Sequence, residues 1–474
     1  MRNQITQLVV SLLLIAGILV IVFIFVFKAG NITHRQFWHI LMGLFLLLLV
    51  ILNLKPHWSV EKKHRRFFEE FLSETSGQLQ QKLFNNPASA DVEGAYQSFS
   101  KLIAGTFQGS VMANNSVQII TDGASKYNLL LRDLAAARES INMEYYHFGA
   151  DQGSRDIRNM LIKKAQEGVR VKFINENVAN FPIMHRYYTS MRKAGVQVIR
   201  FTGLRNFLRD CLTKLNYRNH RKIVVIDGKI GYTGGMNIND HYFRKWRDTH
   251  LRIEGDAVAS LQLIFLNSWV ISGGKRQMPY PFFFPEQDVH PENKLIQVIS
   301  DEPGLNFHPI ETSYTWALLH TKDYFYIQTP YFVPSQAVLT ALKAAARSGA
   351  DVRLMLPKKA DSVFMGPANK SFFKECLSSG VRIYLRDGQF MHSKTFVCDD
   401  YLSCIGTANV DNRSFFLNYE DNAYIYDAEL AAKNREIFEK DLELCQECTL
   451  EEVRGWHWYQ RFPQWLMRFL APLL

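Results

Sequence analysis

The sequence predicts an α/β protein in which two related α/β repeats pack about a pseudo-twofold axis around one shared active site, preceded by two transmembrane helices. Three observations lead there. Short β-branched runs alternate with helical stretches that end in Gly from about Val117 onward, the texture of α/β units. One constellation of polar residues occurs twice, 172 positions apart. Two long apolar runs stand near the amino terminus.

Residues 8–27 hold a single polar side chain, Ser11, and at about 1.5 Å per residue a helix of this length crosses about 30 Å of hydrocarbon. No small-residue cleavage site follows, so the run is a membrane span rather than a secretory signal. Residues 37–54 form a second span interrupted by His39 and Asn53. The connection carries Lys28 and Arg35, while Lys55, Lys62, Lys63, Arg65 and Arg66 follow the second span. Basic residues mark the cytoplasmic side, so both termini and everything beyond Leu54 are expected there, in a cell-membrane protein with two spans.

The organisation then reads as a membrane hairpin at 1–60, an amphipathic helix and linker at 61–115, and a first repeat at 116–272. A linker with four prolines covers 273–294, a second repeat 295–455, and an aromatic and basic tail 456–474. In the linker, Phe282, Phe283 and Phe284 are read as capping a core. A basic amphipathic element at 203–219 and the tail, with Trp458, Phe462, Trp465 and Phe469 among arginines, carry the residue mix of membrane interfaces.

Composition narrows the partner. Of 474 residues 47% are hydrophobic, which excludes disordered and collagen-like classes. Lys and Arg number 55 against 45 acidic residues, so an anionic partner is favoured: nucleic acid, anionic lipid or a phosphate ester. Six Cys are too few for a disulfide framework, and the isolated pair Cys445 and Cys448 has no second pair or His cluster, so no metal site is expected.

The repeated constellation decides among those partners. His220, Lys222, Asp227, Gly234 and Asn237 recur as His392, Lys394, Asp399, Gly406 and Asn409, and Asp248 recurs as Glu420, all at one offset. Around Asp227 and Asp399 the pattern is strand, turn, strand. Alternation along a strand sends i and i+2 the same way, so each His and Lys should project together. Two such faces brought together suit a phosphodiester. A neutral imidazole attacks phosphorus, while Lys222, Lys394, Asn237 and Asn409 donate to the non-bridging oxygens. The second imidazole, protonated, serves the departing alkoxide, and the ordinary His pKa of about 6.5 makes both forms accessible. Asp248 and Glu420 are expected to orient the imidazoles through the far ring nitrogen. Asp227 and Asp399 belong to the motif but read as anchors of the hairpin or of the Lys.

At these residues the chain resembles the phospholipase D superfamily and, within it, the bacterial cardiolipin synthase family. The resemblance runs through Asn219-His220-Arg221-Lys222, Tyr232-Thr233-Gly234-Gly235-Met236-Asn237, Trp246-Arg247-Asp248, Thr329-Pro330-Tyr331-Phe332-Val333-Pro334 and Gly406 to Phe415. The superfamily often has Ser after the motif Gly; here Thr407 keeps a hydroxyl and Gly235 does not. The resemblance implies transfer of a phosphatidyl group between two phosphatidylglycerol molecules, giving cardiolipin and glycerol through a phosphatidyl-histidine. His220 is read as the nucleophile and His392 as acid, then base, although the near-symmetric motif leaves the reverse order open. Catalytic roles are thus expected for His220, Lys222, Asp227, His392, Lys394 and Asp399, and substrate contacts for Asn237, Asn409, Asp248 and Glu420. No cofactor is implied, since the cationic side chains already do what a metal would do for developing charge. The partners implied are phosphatidylglycerol and anionic membrane lipid. Nucleic acid is not, because two membrane spans are hard to reconcile with a nuclease. A phosphatidylserine synthase or hydrolytic phospholipase D would share the first half-reaction and differ only in acceptor.

Overall fold

A computed structural model describes residues 57–104, 109–177, 179–180, 185–201, 217–275 and 279–471. The two apolar runs at 8–27 and 37–54 and most of the basic element at 203–219 lie outside the described residues. Among the described residues no helix is long and apolar enough to cross a membrane.

The first half contributes β1 (Met112–Asp122), β2 (Ser140–Tyr145), β3 (Arg170–Glu176), β4 (Gln197–Phe201), β5 (Arg218–Asn219), β6 (Lys222–Ile226), β7 (Ile230–Gly234) and β8 (Trp246–Gly255). In the second half come β9 (Lys294–Asp301), β10 (Tyr324–Gln328), β11 (Phe332–Val333), β12 (Asp351–Pro357), β13 (Arg382–Arg386), β14 (Phe390–Met391), β15 (Thr395–Cys398), β16 (Leu402–Gly406), β17 (Val410–Asp411), β18 (Asn418–Tyr426) and β19 (Cys445–Cys448). Parallel strands β4, β3 and β2 lead into antiparallel β6, β7, β8 and β1. The same order recurs as β13, β12, β10, β15, β16, β18 and β9. Antiparallel pairing of β1 with β9 joins the two halves edge to edge. The repeat seen in the sequence is therefore a repeat of strand order.

Central strands are buried on both faces, so their sequences are continuous apolar runs rather than alternating ones. Ile223, Val224, Val225 and Ile226 of β6 are all buried, and odd and even positions feed two different hydrophobic clusters. The helix Val258–Ile271 is apolar all round because it is buried all round.

One reading of local structure changes. The single amphipathic helix expected over 61–84 is two helices, His57–Glu74 and Gly77–Phe84, because Ser76 caps the second by accepting from the Leu79 N–H. In the linker Tyr280 and Phe283 are buried, and Tyr280 packs 5.7 Å from Phe67 and 5.4 Å from Phe71, ring centre to ring centre, so it clamps the helix His57–Glu74.

The motif aspartates are a correction to the catalytic grouping. Asp227 and Gly228 both have positive φ, as do Asp399 and Asp400, the backbone that a tight hairpin of primed type demands. The Asp227 carboxylate accepts from the N–H groups of Arg138, Glu139 and Ser140, each at 2.8 Å. Asp399 does the same with Lys322, Asp323 and Tyr324 at 2.8, 3.0 and 3.0 Å. Both carboxylates sit at the hairpin tip, the full length of a strand from the His-Lys end, and fasten the loop entering β2 or β10. Three backbone N–H groups on each carboxylate fit the anchoring role read from the turns. Replacing Asp399 by Asn should lower stability by about 1–3 kcal/mol, read as a shift in denaturation midpoint, while turnover per folded molecule changes less than about twofold; a selective loss of turnover would return Asp399 to the site.

Candidate active site

Each histidine is held by the opposite half of the chain. His220 lies between β5 and β6, and its backbone N–H donates to the Tyr419 carbonyl at 2.9 Å, where β5 runs parallel to β18. His392 follows β14, and its N–H donates to the Arg247 carbonyl at 2.7 Å, where β14 runs parallel to β8. The residue after each acceptor is a carboxylate. His220 Nδ1 is therefore 2.9 Å from both oxygens of Glu420, and His392 Nδ1 is 2.7 Å from Asp248 Oδ2. The pairing is crossed between halves, a point on which spacing along the chain is silent. With Nδ1 engaged, Nε2 is the ring atom left for chemistry.

The His and Lys of each motif stand at the start of a strand: Lys222 opens β6, and Lys394 directly precedes β15. Lys222 Nζ donates to the His220 carbonyl at 2.6 Å; Lys394 Nζ donates to the His392 carbonyl and lies 2.9 and 3.2 Å from the nitrogens of that ring. The residues between them turn the other way. Arg221 is fully buried, donating to Glu302 at 2.9 Å, Ser268 at 2.9 Å and the Glu420 carbonyl at 3.2 Å. Glu302 in turn pairs with His64 of the helix His57–Glu74. Ser393 accepts from Arg247 at 3.1 Å.

The carboxamides are built into the walls. Asn237 accepts from the His147 N–H at 3.1 Å and donates to the Tyr242 hydroxyl at 2.8 Å. Asn409 donates its backbone N–H to Ser414 Oγ at 3.1 Å, and its buried Oδ1 has no hydrogen-bond partner. Rings complete the walls: Tyr146 lies 4.8 Å from His220, and Trp246 and Tyr242 lie 5.1 and 5.3 Å from His392, between ring centres.

Burial governs the protonation states. It pushes His220 down to about 4, against the pull of Glu420, and His392 down to about 3, with Lys394 adding to the effect. Lys222 falls to about 7 and Lys394 to about 8, again chiefly by burial. Burial alone would raise Asp248 and Glu420, yet neighbouring His and Lys outweigh it and hold both below their ordinary range. Burial thus favours the neutral form of both imidazoles, and the neighbouring cations favour the ionised form of both carboxylates. A protonated imidazole is therefore favoured only where a bound anion offsets the desolvation.

Several contributors were invisible in the motif. Thr407 Oγ1 donates to Glu420 Oε2 at 2.6 Å, so its hydroxyl steadies the carboxylate rather than reaching a phosphate. Gly235 is its counterpart, and a Cβ there would lie inside the contact shell of Asp248 Oδ1. Thr with Glu and Gly with Asp are thus two size-matched solutions. Arg413 is partly buried, and burial, then the charge of Arg218, lowers its basicity. Arg413 stands in the segment that carried the family resemblance, which is the one signal that could have found it. Cys445 and Cys448 lie on β19 as free thiols, and among the described residues no cluster could hold a metal.

Gly235→Ala should cost about 10²-fold in turnover, the effect of displacing a positioning group by about an ångström. Steady-state kinetics on protein with an unchanged far-ultraviolet spectrum would check it, and wild-type turnover would mean Asp248 does not position His392.

A family model described as cardiolipin synthase, PLD-like domain, matches residues 130–269 and 315–442. The major cardiolipin synthase of Bacillus subtilis is 37% identical over 369 residues, covering 76% of this chain and 76% of the relative. A cardiolipin synthase of Geobacillus kaustophilus is 37% identical over 373 residues, covering 77% and 74%. Among solved structures, the phosphatidylserine synthase of Haemophilus influenzae superposes with a TM-score of 0.57 at 14% identity, over 76% of this chain and 93% of that one, a likeness of fold. Two matched segments, one in each half, together with relatives this similar over three quarters of the chain, mean that this protein belongs to the cardiolipin synthase family with phospholipase D-like domains.

Proposed function

We propose that the chain joins two phosphatidylglycerol molecules into cardiolipin and releases glycerol. The observation that carries this reading is the crossed arrangement of two His-carboxylate pairs beside two buried lysines, in a member of this family. Nε2 of His220 attacks the donor phosphorus, forming a P–N bond as the bond to the glycerol oxygen breaks. His392, protonated once the phosphodiester is bound, gives its proton to that oxygen. It then takes the proton of the acceptor's hydroxyl, whose oxygen attacks phosphorus and breaks the P–N bond. Lys222 and Lys394 face the charge that accumulates on the non-bridging oxygens, and Asn237 and Asn409 are assigned to donate there too. Asp248 and Glu420 hold tautomer and orientation. The repeats at 116–272 and 295–455 act as one catalytic unit. The apolar runs at 8–27 and 37–54 anchor it, with the basic residues after the second run supporting a cytoplasmic placement.

Purified protein given phosphatidylglycerol alone should release cardiolipin and glycerol in equal amounts, with divalent ions chelated. His220→Ala and His392→Ala should each lower this by about 10³-fold or more. His392→Ala protein quenched in alkaline denaturant, where a P–N bond survives, should carry a phosphatidyl adduct on His220 by mass spectrometry; an adduct on His392 in the reciprocal variant would reverse the two roles, and no cardiolipin from wild type would refute the proposal.

The protonation states give a further outcome. Imidazoles held near 4 and 3 when the site is empty are unprotonated at pH 6, and a bound phosphodiester raises them. Binding at pH 6 should therefore take up about one proton, measured by calorimetry with glycerophosphoglycerol in buffers of different ionisation enthalpy. Zero uptake would contradict an acid charged by its substrate.

A further inference from the structure

We infer that the carboxy-terminal helix and the loop at Val363 and Phe364 form a lipid-docking rim that sets the mouth of the active site against the bilayer surface. This rests on the reading above, in that the substrate is a membrane phospholipid. The helix Trp458–Leu470 is sharply two-sided. Met467 and Ala471 are buried and belong to the core of the second half. Trp458, Phe462, Trp465 and Phe469 recur at helical spacing on the other side and are 78%, 57%, 65% and 75% exposed. Single exposed apolar residues are ordinary, but four large rings on one face of one helix are not.

The rim is tied to the site by short links. Asn412, three residues past Asn409, donates to the Ala471 carbonyl at 3.2 Å. Arg468 donates to Glu375 at 2.9 Å and lies 3.7 Å over the Phe372 ring. The helix Met365–Lys370, against which the carboxy-terminal helix packs, holds the site's wall through Asn369, which accepts from the Phe332 N–H at 2.9 Å and donates to the Pro330 carbonyl at 3.0 Å. Tyr331, between those two, lies 6.4 Å from the His392 ring and donates its hydroxyl to Asp361 at 2.6 Å. Two residues on, Val363 and Phe364 are 87% and 63% exposed. Two segments far apart in sequence thus bring exposed apolar side chains to the frame that surrounds His392.

Charge identifies the occupant. The segment 456–474 contains Arg461 and Arg468 and no acidic residue, and Trp, Tyr and Phe beside Arg is the composition of a surface that meets anionic headgroups and the acyl boundary. A two-chain lipid whose phosphate must reach two buried imidazoles gains from a rim that holds the bilayer at that depth.

The test uses the full chain in phosphatidylglycerol vesicles. Trp458→Phe with Trp465→Phe should remove a share of the tryptophan emission that acyl-brominated phosphatidylglycerol quenches in wild type. Replacing Trp458, Phe462, Trp465 and Phe469 by Ser should lower turnover of long-chain phosphatidylglycerol in vesicles roughly tenfold and change turnover of monomeric dihexanoyl phosphatidylglycerol less than twofold. Unchanged quenching, equal turnover in vesicles, or equal loss on both substrates would overturn the inference. So would a change in sedimentation showing that a second copy covers the face. A wild type that makes no cardiolipin from either substrate would remove the proposed activity while the quenching comparison still reports on docking.

Discussion

The crossed His-carboxylate pairs are the constraint around which this structure is arranged. Glu420 and Asp248 are buried ions, and removing an ionised carboxylate from water costs several kcal/mol unless a partner and further hydrogen bonds answer it. The answer for each comes from the other half: His220 for Glu420, His392 for Asp248. A half folded alone would bury a carboxylate and expose an imidazole with nothing to hold it. Catalytic geometry and the cohesion of the two repeats are therefore one feature, with the short parallel contacts of β5 with β18 and β14 with β8 as its backbone.

The same burial sets the chemistry. Low dielectric surroundings keep both imidazoles neutral and weaken both lysines, which makes the empty site ready to accept negative charge. Two residues of one type then take opposite roles only when substrate breaks the symmetry. Arg221, threaded between His220 and Lys222 yet pointing away, links this centre through Glu302 to His64 of the helix His57–Glu74.

How far the sequence could be read depended on the range of the interaction. The hairpins at Asp227 and Asp399 were legible because alternation and turn chemistry are local. The second helix start at Ser76 was missed because a cap overrides an otherwise continuous amphipathic pattern. Asp227 and Asp399 were legible as anchors from their place at the turns, but the backbone groups they hold, some 75 to 90 residues away in sequence, were not. The partner of the Thr407 hydroxyl was not legible, because its distance to Glu420 is a property of two strands pairing, not of spacing along one.

The repeated His, Lys, Asn and carboxylate positions, the α/β order and the apolar amino-terminal runs were all determined by the sequence alone, since each is a matter of residue type and period. Tertiary structure decided which carboxylate serves which histidine, how deeply the two imidazoles and two lysines are buried, and where the exposed rings of the last helix stand. Those are distances across the interface between two halves, and desolvation, which fixes the charge on each group, exists only once that interface has closed.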